Sequence, residues 1–313
     1  MVKKIAILGL CAALSILAFM VVGARGNWDF VLAFRGTKLI SLVIVATAIS
    51  VSTIVFQTLT SNRILTPSIM GFDALYILLQ TVLVFALGGF GFASLAPELK
   101  FSLELFLLSA ASLALFGSLI GQGTNDLFRM LLVGVVFGVL FRSLTGLLQR
   151  MIDPNEFSIL QGALFASFNN VDTKLLTLAA PLVIACCALA WHKRNVLDVM
   201  ALGREQAISL GLNYKRELMM GLALVTALIA TSTALVGPVA FFGLLVSAIS
   251  YEVIKTHHHG PIFLTSILIS IIVLVGGQTI FERVLGLGAT LSIVVEFLGG
   301  LVFLFLILRR VRM

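Results

Sequence analysis

Long apolar runs dominate this chain of 313 residues. An α-helix needs about 20 consecutive apolar residues to cross the hydrocarbon core of a bilayer, and several runs reach that length. Only 11% of the residues are charged, whereas 60% are hydrophobic. A soluble domain carries about 25% charged residues, so this chain has too few charges to cover a globule in water. The sequence therefore predicts an all-α polytopic membrane protein.

We expect about ten transmembrane helices in a single domain, residues 1–313. An even number of crossings places both termini on one side, and 13 of the 21 Lys and Arg residues then lie at inside ends. The positive-inside rule accordingly puts both termini in the cytoplasm. The predicted spans are Ile5–Val22, Leu39–Leu59, Ser68–Leu87, Leu103–Ile120, Leu127–Leu148, Leu175–Trp191, Leu218–Val236, Phe241–Ile254, Pro261–Val275 and Leu291–Leu308.

The net charge of +7 is interpreted as this topological signal, so no nucleic-acid partner is expected. GxxxxGK[ST] does not occur, and the chain therefore lacks a Walker-A loop for ATP. The run His257–His259 has a metal-like composition, but adjacent helical residues point in different directions. We predict a solvated cytoplasmic turn there, with no metal site and no catalytic residues in the chain.

The longest polar segment, Trp191 to Glu217, follows the sixth predicted span and includes residues 197–216, which are predicted to lie on the cytoplasmic side. Within "DVMALGREQAISLGLNYKRE", the apolar residues Leu202, Ala207, Ile208 and Leu210 alternate with charged and amide residues. An amphipathic helix of this kind suits a groove on a cytosolic partner. It equally suits the lipid headgroup layer, and spacing alone leaves both interpretations open.

Four stretches in order carry a family resemblance: "FQTLTSNRILTPSIMGF", "RMLLVGVVFGVL", "LGREQAISLGL" and "GPVAFFGLLVSAIS". They resemble motifs of the FecCD/BtuCD-type permeases of ABC importers, from about Arg35 to Arg310. Three departures stand out: Arg63 where the family has Pro after Asn, Ser247–Ala248 where it has Pro-His, and a divergent stretch "GGQTIFERVLGLGATLSI". These features resemble the branch in which two different permease subunits pair.

The resemblance implies a BtuC-like permease fold with three working surfaces. The first is an ATPase-coupling surface at Leu202, Gly203, Arg204, Glu205, Ala207, Leu210 and Gly211. The second is a docking surface for a substrate-binding protein at Arg35, Lys38 and Arg283. The third is a cytoplasmic gate at Asn62, Ile64 and Pro67.

The implied partners are a cytoplasmic ABC ATPase dimer, a second permease subunit (a paralogue rather than an identical copy) and a substrate-binding protein. ATP and Mg²⁺ would reside on the ATPase, with no cofactor in this chain. The expected location is the bacterial inner membrane, and the expected cargo is a ferric siderophore, with haem or cobalamin as alternatives.

Pro/Gly interruptions follow the second and seventh predicted helices, which is consistent with an inverted repeat of helices 2–5 and 7–10. Glu296, in the last predicted span, is a candidate path residue because ionisable groups are costly in a membrane. Asn169 and Asn170 are candidate cargo contacts at the outer opening.

An ion-coupled secondary transporter is the alternative of a different class, and an integral membrane enzyme comes third. The secondary transporter would need intramembrane carboxylates, and the enzyme would need clustered His, Asp or Glu.

Overall fold

The computed structural model describes residues 2–24, 28–121, 127–164, 168, 172–284, 296, 297 and 299–301. Its helices are α1 (Val2–Val21), α2 (Trp28–Leu59), α3 (Asp73–Ser94), α4 (Pro97–Gly121), α5 (Leu127–Gln149), α6 (Pro154–Leu164), α7 (Thr173–His192), α8 (Arg194–Met200), α9 (Arg204–Ser209), α10 (Tyr214–Val236), α11 (Phe242–Val253), α12 (His259–Ile271) and α13 (Gly277–Thr279). π-Helical segments occupy Ser68–Phe72, Ile272–Gly276 and Ile280–Val284.

Nine of the ten predicted spans coincide with described helices, and the tenth, Leu291–Leu308, lies almost entirely outside the described residues. Among the described helices, seven segments are long and apolar enough to cross a membrane. A further apolar helix, α11, is shorter. The all-helical, multi-pass prediction is therefore confirmed, whereas the count of ten stays a prediction.

Helix α2 lies at the centre of the bundle and packs against α7, α10, α11 and α12. Its hydroxyl side chains bond back to the backbone of their own helix, as Ser52 does to the Ile49 carbonyl at 3.0 Å. Small residues on neighbouring helices permit close approach: Gly221 of α10 faces Leu59, and Gly243 of α11 faces Thr53. Such packing is what drives helix association in lipid, where apolar burial adds little.

Two interruptions of helical structure, residues 60–67 after α2 and residues 237–241 after α10, meet inside the bundle. Both contribute to one small cavity beside Ile49 and Thr53 of α2. Its polar lining consists mainly of the hydroxyl residues Thr53, Thr66, Ser68, Ser232 and Thr233. The predicted breaks thus exist, and they lie next to each other.

The bundle has two chemically distinct ends. At the α8–α9 end, the Lys4 ammonium donates to the Val253 carbonyl at 2.8 Å, which joins the start of α1 to the end of α11. Lys193 and Glu217 form an ion pair at 2.9 Å at the same end. The opposite end holds the start of α2, the end of α1 and the segment Ile280–Val284, which are connected through Arg35 and Lys38.

Gly71 provides a test of the packing between the π-helical segment Ser68–Phe72 and α5. Its φ is +97°, and a Cβ there would lie 3.1 Å from the Gly138 Cα atom. Gly71→Ala should therefore lower the free energy of unfolding by about 1–3 kcal/mol, measured by unfolding in detergent. Gly146→Ala is the matched control, since a Cβ at that position would meet no neighbouring atom within 4 Å. Equal stability of the two variants would contradict this packing.

Candidate functional site

The predicted coupling segment forms two short helices, α8 and α9, with glycines at their boundaries. Gly203 begins α9 with φ +104°, and Gly211 follows it with φ +86°. Non-glycine residues rarely adopt these backbone conformations, so both glycines are required by the turns. Gly203 and Gly211 therefore mark the two ends of α9.

Apolar side chains project from this segment into the surroundings. Leu202 is 58% exposed, Ile208 50% and Leu210 63%, whereas Ala207 is fully buried. Arg204 and Glu205 are exposed beside them. The side chains thus divide into an outward apolar set with charged flanks and an inward anchor at Ala207. An exposed apolar set of this kind is typical of a surface that binds a partner protein or a membrane.

The predicted gate residues lie in the turn of residues 60–67. Asn62 shapes this turn, because its backbone N–H donates to the Gln57 carbonyl at 3.0 Å and its Oδ1 accepts from the Ile64 N–H at 3.0 Å. The Pro67 carbonyl accepts from the Met70 N–H at 3.1 Å. Ile64 is half-buried and Pro67 is buried. These contacts give the turn a defined conformation, and its role as a gate stays a prediction.

Gln57 fastens the turn to α11. Its Nε2 donates to the Arg63 carbonyl at 2.6 Å and to the Ser247 hydroxyl at 2.9 Å. The Arg63 guanidinium lies 4.4 Å from the centroid of the Tyr251 ring, a cation–π contact. Arg63 and Ser247, both departures from the family motifs, therefore take part in the contacts between this turn and α11.

The prediction of a solvated turn at His257–His259 is wrong for His259, which is only 3% exposed. Its Nδ1 lies 2.5 Å from Asp198 Oδ1, and its Nε2 lies 2.7 Å from the Thr58 hydroxyl. His258 is exposed and lies 3.1 Å from Asp198 Oδ2. Sequence reasoning missed this cluster, because its members come from three separate helices.

Asp198 is held in its charged form by these histidines. Burial by itself raises the pKa of this carboxyl group, but hydrogen bonds from His259 and His258 outweigh burial and lower the pKa below its usual value. Asp198 is therefore an ionised acceptor at neutral pH. Within the described residues, no three His, Cys, Asp or Glu side chains lie where they would hold one metal ion.

Two of the three predicted docking cations have partners inside the chain. Arg35 Nη1 lies 2.8–3.1 Å from the carbonyl oxygens of Phe19, Met20 and Val22, at the end of α1. Lys38 is buried and forms an ion pair with Glu282. Glu282 was not among the residues predicted from the sequence. Only Arg283 of the three is exposed. Docking remains a prediction for all three, and the structure gives Arg35 and Lys38 internal roles.

Glu296 accepts a hydrogen bond from the Ala240 N–H, within the second interruption. A Cβ on Gly299 would lie 2.5 Å from that of Phe241, so Gly299 packs against the same interruption. Glu296 therefore lies beside one of the broken segments. Asn169 and Asn170 are outside the described residues.

Comparison with solved structures identifies the class of this fold. The chain superposes on a metal-chelate type ABC transporter in an inward-facing conformation with a TM-score of 0.80, covering 97% of this chain and 98% of that one at 18% identity. At that identity the likeness establishes the fold alone.

Sequence comparison identifies the family. Residues 5–309 match the FecCD transport family, and the chain belongs to it. It is 43% identical to the petrobactin import system permease protein YclO of Bacillus subtilis strain 168, over 91% of this chain and 90% of that protein. It is 27% identical to YclN, another petrobactin import permease of that strain, over 89% of this chain and 84% of YclN. The resemblance inferred from the motifs is confirmed.

Arg35 and Arg283 make a matched pair for separating a structural role from a surface role. Arg35→Met should lower the free energy of unfolding by about 1–3 kcal/mol, because buried carbonyl groups at the end of α1 lose their donor. Arg283→Met should leave stability unchanged, since that side chain is exposed. Thermal unfolding in detergent measures both. If the two substitutions cost the same, the internal role of Arg35 is wrong.

Proposed function

We propose that this chain is the membrane-spanning permease subunit of an ATP-driven ABC importer for a ferric siderophore. The observation that carries the proposal is the outward apolar set Leu202, Ile208 and Leu210 on the α8–α9 segment of a FecCD-family chain. These side chains fit a groove on an ATPase. The α8–α9 end then faces the cytoplasm of a bacterial inner membrane, with both termini on that side.

The cargo follows from the relatives. YclO and YclN are both named for petrobactin import, so a ferric siderophore of this type is the first cargo to test. The chelator carries the iron across, and the permease therefore has no need of iron ligands of its own. Haem and cobalamin are the alternative cargoes.

We propose that the permease works beside a paralogue. YclO and YclN come from one organism and share the petrobactin name, and this chain is similar to both. The working assembly then comprises two different permeases, two ATPase subunits that bind ATP and Mg²⁺, and a substrate-binding protein. The permease itself catalyses no reaction.

In this assembly, ATP binding by the ATPases moves the α8–α9 segments, and the permease pair alternates between outward-open and inward-open states. The turn with Asn62, Ile64 and Pro67 narrows the inner mouth of the path. Arg283, as the exposed cation of the predicted docking set, meets carboxylates of the binding protein at the opposite end. Such charges contribute mainly to register and to the association rate.

The direct test is reconstitution of this chain with its neighbouring permease, ATPase and binding protein in liposomes. ATP-dependent accumulation of radio-iron-labelled ferric petrobactin supports the proposal, and preference for haem or cobalamin instead overturns the cargo assignment. Uptake that follows a proton or sodium gradient without ATP overturns the importer class and favours a secondary transporter.

The outward apolar set should be needed for binding the ATPase. Leu202→Ser and Leu210→Ser should each weaken binding about tenfold or more, because burying a leucine contributes about 1.5–3 kcal/mol. Affinity of the purified ATPase for the permease in detergent measures this. Leu99→Ser, at a residue 57% exposed near the start of α4, is the control and should bind normally. If Leu202 and Leu210 variants bind normally as well, the segment rests on headgroups instead.

A further inference from the structure

A chain of hydrogen bonds, buried at His259 and Thr58 and partly exposed at Asp198, connects three helices at the α8–α9 end. Asp198 of α8 accepts from the backbone N–H of His259 at 2.7 Å, and its Oδ1 lies 2.5 Å from His259 Nδ1. On the other edge of the ring, Nε2 lies 2.7 Å from the hydroxyl of Thr58 in α2. We call these three residues the Asp198–His259–Thr58 relay.

The protons available on these three side chains determine which atom donates in each hydrogen bond of the relay. The Asp198 carboxylate only accepts, so His259 Nδ1 carries a proton. The Thr58 hydroxyl has one proton and lies near two acceptors, His259 Nε2 and the Ile54 carbonyl at 2.9 Å. When the imidazole is neutral, that proton goes to Nε2. Both ring nitrogens of a His259 that is only 3% exposed are thus engaged, and separating α8 from α2 leaves buried polar groups unpaired, which is costly.

The relay touches the coupling segment on one side. Asp198 lies in α8, which packs against α9 and against the start of α12. Helix α9 carries Ile208 of the outward apolar set. A force applied to the outward apolar set is therefore transmitted to Asp198 through only two short helices, α9 and α8.

On its other side the relay adjoins the turn of residues 60–67. Thr58 is the neighbour of Gln57, whose amide holds the Arg63 carbonyl at 2.6 Å. The Gln57 carbonyl accepts from the Asn62 N–H at 3.0 Å. The last turn of α2 therefore ends in direct hydrogen bonds to the segment that carries the predicted gate residues.

We propose that His259 is a positioning residue that makes α8, the start of α12 and the end of α2 move as one body. Displacement of the α8–α9 segment then displaces the turn of residues 60–67. This inference rests on the proposed function, because it needs an ATPase that moves the segment. Without the relay, α8 slides against α2 and ATP hydrolysis proceeds without moving the turn.

The relay makes a prediction that a purely structural role does not. Its loss should lower the amount of cargo transported per ATP hydrolysed, while ATPase activity and assembly persist. A contact that only stabilises the fold would lower transport and hydrolysis together, through loss of assembled complex. The ratio of the two rates therefore separates the interpretations.

The variants are chosen to be nearly isosteric. Thr58→Val removes the hydroxyl while keeping the shape of the side chain, and Asp198→Leu removes both acceptor oxygens while keeping a side chain of similar size. Each should lower transport per ATP about tenfold, within the usual range of coupling free energies between sites. Thr58→Ser retains the hydroxyl and should restore the ratio. The double variant should fall no further than either single variant, because one relay is broken in every case.

His258→Ala is the matched control. Its imidazole also contacts Asp198, at 3.1 Å, but it is exposed and the relay to Thr58 does not pass through it. Transport per ATP in this variant should equal that of the unaltered protein. An equal loss in His258→Ala would show that charge near Asp198 matters and that the relay does not.

The measurement uses the full importer in liposomes, with ferric petrobactin as cargo and phosphate release as the measure of hydrolysis. If the unaltered complex fails to transport, the proposed function fails and the cause lies upstream of the relay. If the unaltered complex transports while Thr58→Val and Asp198→Leu keep its ratio, the relay is overturned and the function stands. A proportional fall of transport and hydrolysis also overturns it.

Discussion

Satisfaction of buried polar groups without water is the constraint on which the rest of this structure depends. An unpaired backbone or side-chain group costs several kcal/mol in a bilayer, and central helix α2 carries many hydroxyl, amide and charged groups. The Thr47 and Ser52 hydroxyls bond to their own helix, Gln57 bonds to the turn of residues 60–67, and Lys38 pairs with Glu282. These polar contacts decide which elements lie next to α2 and where the interruptions of helical structure can occur.

Much of the fold could be predicted from the sequence, because each helix is encoded locally in an apolar run. The start of α2 could not be predicted in this way, since polar residues such as Arg35 and Lys38 indicate a later beginning at Leu39. The helix begins at Trp28 because both cations find partners inside the chain. The exposure of Leu202 and Leu210 followed from the amphipathic spacing of the segment, and the turns at Gly203 and Gly211 followed from the glycines themselves.

The relay could not be predicted, because Asp198, His259 and Thr58 are far apart in sequence and each is ordinary on its own. Adjacent histidines suggested a solvated turn, and only the packing of α8 against the start of α12 shows that His259 is buried. The roles of Arg35 and Lys38 were hidden for the same reason: charge at a helix start does not reveal whether the side chain points to solvent or to a neighbouring helix. Long-range pairing of polar groups is what local patterns omit.

The proposed mechanism depends on binding of the α8–α9 segment by an ATPase. Photo-crosslinking from residue 210, where Leu210 is 63% exposed, tests it most directly in intact bacterial membranes. We expect a crosslink from this position to the ATPase subunit and none from residue 28, at the opposite end of the bundle, where Trp28 is also exposed. Crosslinks from residue 210 to lipid alone, in membranes that contain the assembled importer, would contradict it.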